Sequence, residues 1–74
     1  MTDEEKRVME LINRIAPMLA GQGPHVQSAV LADLLAMWLA GHLASEAREQ
    51  VLANHIAVVR ELTKINAREL HGEN

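Results

Sequence analysis

Apolar residues recur at helical spacing along three stretches of the chain, and turn-forming residues separate these stretches. The pattern predicts helices over about 3–20, 24–40 and 45–71. A Gly-Gln-Gly-Pro turn ends the first stretch, and Gly41 ends the second, where we expect a left-handed cap. With one aromatic residue in the chain, packed helices are favoured over strands. We therefore expect a single all-α domain over 1–74, a three-helix up-down-up bundle.

The first predicted helix has separate apolar and polar faces. Thr2 and Glu5 have the spacing of a capping box, which predicts the start of the helix. Pro17 lacks an amide hydrogen and its ring clashes with the carbonyl of Asn13, so we expect a kink or break between these residues. The apolar face consists of Val8, Ile12, Ile15 and Leu19, flanked by Leu11 and Met18.

The third predicted helix is the longest. Ser45 fits the N-cap position, and no Gly or Pro follows until Gly72. A helix of about 26 residues is roughly 39 Å long, so we expect it to extend about two turns beyond its neighbours. Asn66 lies within its apolar arc, where a polar side chain either sets the register of a partner helix or stays exposed on the extended end.

The second predicted helix is the most apolar part of the chain. In the run 29–40 (AVLADLLAMWLA) only Asp33 is polar, and the run is shorter than the about 20 residues that span a bilayer. Its large apolar side chains cover an arc of about 220°, whereas one core needs a stripe of only about 100°. We therefore expect a homo-oligomer, with a homodimer favoured. The expected interface residues are Leu31, Leu34, Leu35, Trp38 and Leu39.

Size and composition support the same expectation. A chain of 74 residues is near the lower limit for a stable single core, and without cysteines it has no disulfide to reinforce it. The formal net charge of −3 disfavours binding to polyanions through the overall field of the protein. The acidic N-terminus has neither the basic nor the apolar region of a signal peptide, so we expect a cytoplasmic location and no membrane contact.

Asp33 and His55 interrupt apolar surfaces at matching heights of the predicted hairpin between the second and third helices. We expect a buried polar pair in which the two side chains contact each other directly or through one water. A carboxylate that orients an imidazole also occurs in catalytic and metal sites. We favour the structural interpretation, because no Ser, Cys or second carboxylate joins the pair in a recognisable pattern.

No other pattern indicates catalysis or metal binding. The four histidines lie in different elements or at different helical heights, so they do not converge as zinc ligands would. No nucleophile–base pair and no phosphate-binding loop is present. We expect no metal, no cofactor and no enzymatic activity.

Arg60, Lys64 and Arg68 form a basic stripe on the outer face of the third helix. These residues could contact an anionic partner such as a nucleic acid, but a solvated face with Glu61 and Glu69 as local partners is the simpler interpretation. The leading functional hypothesis is a small homo-oligomeric helical interaction or structural module, with a second protein as a possible partner. The alternatives are a nucleic-acid-associated regulator that uses the stripe and, less favoured, a small-ligand site near Asp33 and His55.

Overall fold

The computed structural model describes residues 1–41 and 44–72, and these residues form three α-helices and no strand. The helices are α1 (Asp3–Ala20), α2 (Pro24–Ala40) and α3 (Ser45–His71). The all-α class and the number of helices are therefore confirmed.

Close contacts divide the chain into two compact units. Unit 1 is Met1–Leu34 and unit 2 is Leu35–Asn74. The helix α2 contributes to both, with residues 24–34 in unit 1 and residues 35–40 in unit 2. Each unit thus consists of one complete helix packed against a part of α2. The single domain and the up-down-up bundle stay predictions.

The start of α1 has the expected capping box. The Glu5 amide donates to Thr2 Oγ1 at 3.0 Å, and the Thr2 amide donates to Glu5 Oε1 at 3.4 Å. The acidic residues of the first turn also complement the positive end of the helix dipole. The sequence prediction of this helix start is confirmed.

The predicted break at Pro17 is wrong, because α1 runs without interruption from Asp3 to Ala20. Pro17 lies in the last turn, so the helix loses a single backbone hydrogen bond just before it ends. After that end, the Leu19 carbonyl accepts the Gln22 amide and the Gln27 side-chain amide, each at 2.9 Å. The second of these bonds ties α2 to the end of α1. The kink stays a prediction.

The left-handed cap expected at Gly41 is also wrong. Gly72, with φ 68°, has the only positive φ among the described residues. The Gly41 amide instead donates to the carbonyls of Met37 at 3.2 Å and Trp38 at 3.3 Å. The bond to Trp38 spans three residues, as in a 3₁₀ turn, and the bond to Met37 spans four, as in an α-helix. The end of α2 therefore tightens, and no residue there is left-handed.

The expected N-cap of α3 is displaced by one residue. Ser45 is already helical, and Ala44 holds the extended cap conformation with φ −110° and ψ 141°. Alanine has no side-chain acceptor, so the first turn of α3 lacks a side-chain cap. At its other end, Gly72 is left-handed and its amide donates to the Arg68 carbonyl at 2.9 Å. Thus the C-terminal end of α3 has a specific cap, whereas its N-terminal end has no side-chain cap.

No described residue of the single chain is fully buried. A few positions are half-buried. In unit 1 they are Leu19 and Gln27; in unit 2 they are Leu35, Leu39, Arg48, Val51, Leu52, His55 and Ala67.

Candidate interaction surfaces

Unit 1 carries an apolar groove between the end of α1 and the first part of α2. The groove has a volume of about 380 Å³, and Gln22 is its only polar lining residue. The bond from Gln27 to the Leu19 carbonyl holds the two helices together beside it. The apolar lining residues are Ile15, Met18, Leu19, Val26, Val30 and Leu34.

The five expected interface residues of α2 differ in exposure. Leu35 and Leu39, both in unit 2, are half-buried. Leu31, Leu34 and Trp38 are 54%, 50% and 48% exposed. Met37 is 65% exposed, although the sequence analysis did not assign it to the interface. The apolar surface of α2 therefore remains open to solvent on several sides in the single chain.

Trp38 and His55 form the one described aromatic contact within unit 2. Their ring centroids lie 5.0 Å apart and the rings are tilted by 49°. This distance is within the range of favourable contacts between aromatic rings. The sequence pattern places Trp38 at the expected interface and gives no signal that its ring contacts His55.

Asp33 and His55 belong to different units. Asp33 is exposed in unit 1, and His55 is half-buried in unit 2. The predicted buried contact between them stays a prediction. An open groove of about 240 Å³ does lie beside His55, lined also by Trp38, Val51, Asn54 and Val58. It is smaller than typical ligand pockets of about 300–1,000 Å³.

The other candidate ligands do not gather into a site. Within 1–41 and 44–72, no group of three or more His, Cys, Asp or Glu side chains is arranged to hold a metal ion. His42, one of the four histidines considered above, lies outside the described residues.

The basic stripe on α3 is exposed along its whole length. Lys64 Nζ lies 3.0 Å from Glu61 Oε1, so part of its charge is compensated locally, as the simpler interpretation requires. Neither Arg60 nor Arg68 makes an ion pair with a described residue.

An apolar stripe runs along a different face of α3. Val58 is 54% exposed, Leu62 is 50% exposed and Ile65 is 45% exposed. We call these three residues the α3 stripe. Asn66, next to Ile65, is exposed as well.

Sequence reasoning missed the groove of unit 1 as an interaction surface. It assigned Met18 to the flank of the α1 face and the large apolar residues of α2 to a broad arc, without placing the two together. One signal in the sequence could have indicated this surface: the apolar face of α1 continues to the end of that helix. Residues on two helices become one surface only once the turn between them sets their relative position.

Comparisons of the chain with protein-family models, with curated proteins and with solved structures give no match. Among the described helices, none combines the length and the apolar character needed to cross a membrane.

Proposed function

We propose that this chain is a small homo-oligomeric helical interaction module of the cytoplasm, which acts by binding rather than by catalysis. In this proposal, a dimer forms around α2, and the assembled helices present a surface to another macromolecule, such as a second protein. The helical pairs seen in the single chain are the building blocks of the assembly.

The observation that supports this proposal is the exposure of large apolar side chains around α2. A helix that is apolar on all sides is normally buried on all sides. Leu31 and Met37 point about 120° apart on the helix and are 54% and 65% exposed. Each unit pairs two helical segments, and two packed helices enclose no core. A second copy would remove this apolar surface from water, at about 1.5–3 kcal/mol for each large side chain fully buried.

Sedimentation of the wild-type chain over a range of concentrations tests the proposal. We expect a dimer that persists to low micromolar concentration. A folded monomer at high micromolar concentration would refute the proposal.

A matched pair of variants links the dimer to α2. Leu34→Gln changes an exposed apolar residue of α2, and Arg14→Gln introduces the same side chain on the polar face of α1. We expect Leu34→Gln to weaken dimerisation and Arg14→Gln to leave it unchanged. Equal dimerisation of the two variants would count against an interface at α2.

The exposed basic stripe supports a second candidate, a nucleic-acid-associated regulator that uses Arg60, Lys64 and Arg68. The net charge of −3 and the contact between Lys64 and Glu61 favour the first candidate. Titration against random duplex DNA at low salt separates the two, because contacts to phosphate strengthen as salt falls. Absence of binding at low salt would remove the regulator.

A further inference from the structure

His55 places an ionisable ring beside the apolar surface that the proposed dimer covers. It is half-buried, and its ring centroid lies 5.0 Å from that of Trp38. Trp38 is 48% exposed and is one of the expected interface residues of α2. Both rings line the same open groove, together with Val51 and with Val58 of the α3 stripe. A partner that covers this side of Trp38 therefore also removes water from the imidazole.

We propose that His55 makes the assembly sensitive to pH, so that protonation of its imidazole weakens the dimer. The inference rests on the proposed function and adds a means of regulation at the same interface. Imidazole changes its charge near neutral pH, with an ordinary pKa of about 6.5. A neutral ring suits an apolar interface, whereas an imidazolium that loses water there needs a compensating partner.

No carboxylate faces His55 among the described residues of unit 2. The α2 segment of this unit, residues 35–40, contains no ionisable side chain. The nearest carboxylates along α3 belong to Glu49 and Glu61, which point about 120° away from His55 around the helix. The neighbours of His55 one turn away on α3 are Val51, Leu52, Val58 and Val59.

The nearest charge on the same side of α3 is a cation. Arg48 precedes His55 by seven residues, which places it two turns, or about 10 Å, along the same face. Its Nη2 donates to the Ala40 carbonyl at 3.4 Å. The guanidinium repels a second positive charge at His55, so the local field also disfavours an imidazolium in a covered interface.

The contact with Trp38 does not offset this cost. Any attraction between a protonated ring and the indole exists within each chain before assembly, because both residues belong to unit 2. The loss of water at His55, by contrast, accompanies assembly. The dimer therefore binds protons less well than the separate chains do, and its stability relative to them falls as pH falls.

Sedimentation of the full chain at about pH 7.5 and about pH 5.5 tests the inference. We expect the dimer dissociation constant of the wild type to rise about tenfold or more in acid, and that of His55→Gln to change less than about threefold. His25→Gln and His71→Gln are matched controls that remove exposed imidazoles and should keep the pH dependence of the wild type. Emission of Trp38, the only tryptophan of the chain, follows the same transition.

If His55→Gln fails to fold, His55→Leu replaces it as the variant without an ionisable ring. Circular dichroism at both pH values follows helicity, and chains that unfold on dissociation count as dissociated. A dimer with the same dissociation constant at both pH values would overturn the inference and leave the proposed function intact. The same would follow if the wild type and His55→Gln had equal pH dependence, or if the dimer became tighter in acid. A folded monomer at about pH 7.5 would overturn both.

Discussion

The helices α1 and α2 have nearly the same length but depend on different sources of stability. The helix α1 separates its polar and apolar faces and starts with a complete capping box. The helix α2 is apolar on most sides and exposes Leu31 and Met37 on separate faces. Signals within a few residues therefore account for much of α1, whereas α2 needs neighbours around its circumference. We propose that those neighbours include a second copy.

The largest change in stability is expected when a charge is placed on α2. Leu35→Asp puts a carboxylate among the half-buried residues of unit 2, and we expect a loss of about 3 kcal/mol or more. A loss of this size unfolds a small domain of marginal stability, so unfolded or aggregated chains should result. Circular dichroism and sedimentation measure the outcome.

The control for this variant is Asn13→Asp, which makes the same change of charge on the polar face of α1. We expect its free energy of unfolding to stay within about 0.5 kcal/mol of the wild type. A well-folded Leu35→Asp monomer would contradict the importance of the α2 surface.

A smaller effect is expected at the start of α1. Thr2→Ala removes the acceptor for the Glu5 amide, and we expect a loss of about 1 kcal/mol in urea unfolding. Thr63→Ala is the matched control, because the Thr63 hydroxyl donates to the Val59 carbonyl within α3 and caps no helix end. Equal losses for the two variants would show that the capping box has no special role.

Adding a side-chain cap at the start of α3 should raise the free energy of unfolding by a similar or smaller amount. Ala44→Asp supplies a side-chain acceptor at a residue that already has the cap conformation, and we expect about 0.5–1 kcal/mol of stabilisation. Ala53→Asp adds the same charge in the interior of α3 and should give no gain. If both variants behave alike, the weakness of this helix start does not come from its cap.

The smallest effects are expected at two exposed ion pairs among the described residues, Arg7–Glu10 on α1 and Lys64–Glu61 on α3. We expect Glu10→Gln and Glu61→Gln each to cost about 0.2–0.5 kcal/mol at low salt. The cost should vanish near 1 M salt, where the Debye length falls to about 3 Å. A larger cost at Glu61 that persists at high salt would indicate that this part of α3 is buried in the assembly.

Sequence reasoning succeeded where the signals are local. The spacing of Thr2 and Glu5 predicted a cap that the structure contains. The predicted caps at Gly41 and Ser45 were wrong. The same residues are compatible with several geometries of a helix end, and the neighbouring backbone decides which of them forms. Sequence reasoning also wrongly predicted a possible break at Pro17, which lies in the last turn of an uninterrupted helix.

By itself, the sequence determined the helical class, the three elements and the apolar character of α2, because helical periodicity and caps act over one or two turns. Only the tertiary structure decided how α2 is shared between two units, and that the side chain of Gln27 bonds the Leu19 carbonyl. It also decided that the Trp38 ring meets His55. These features depend on distances between residues of different helices, and turn geometry and packing, rather than local pattern, set such distances.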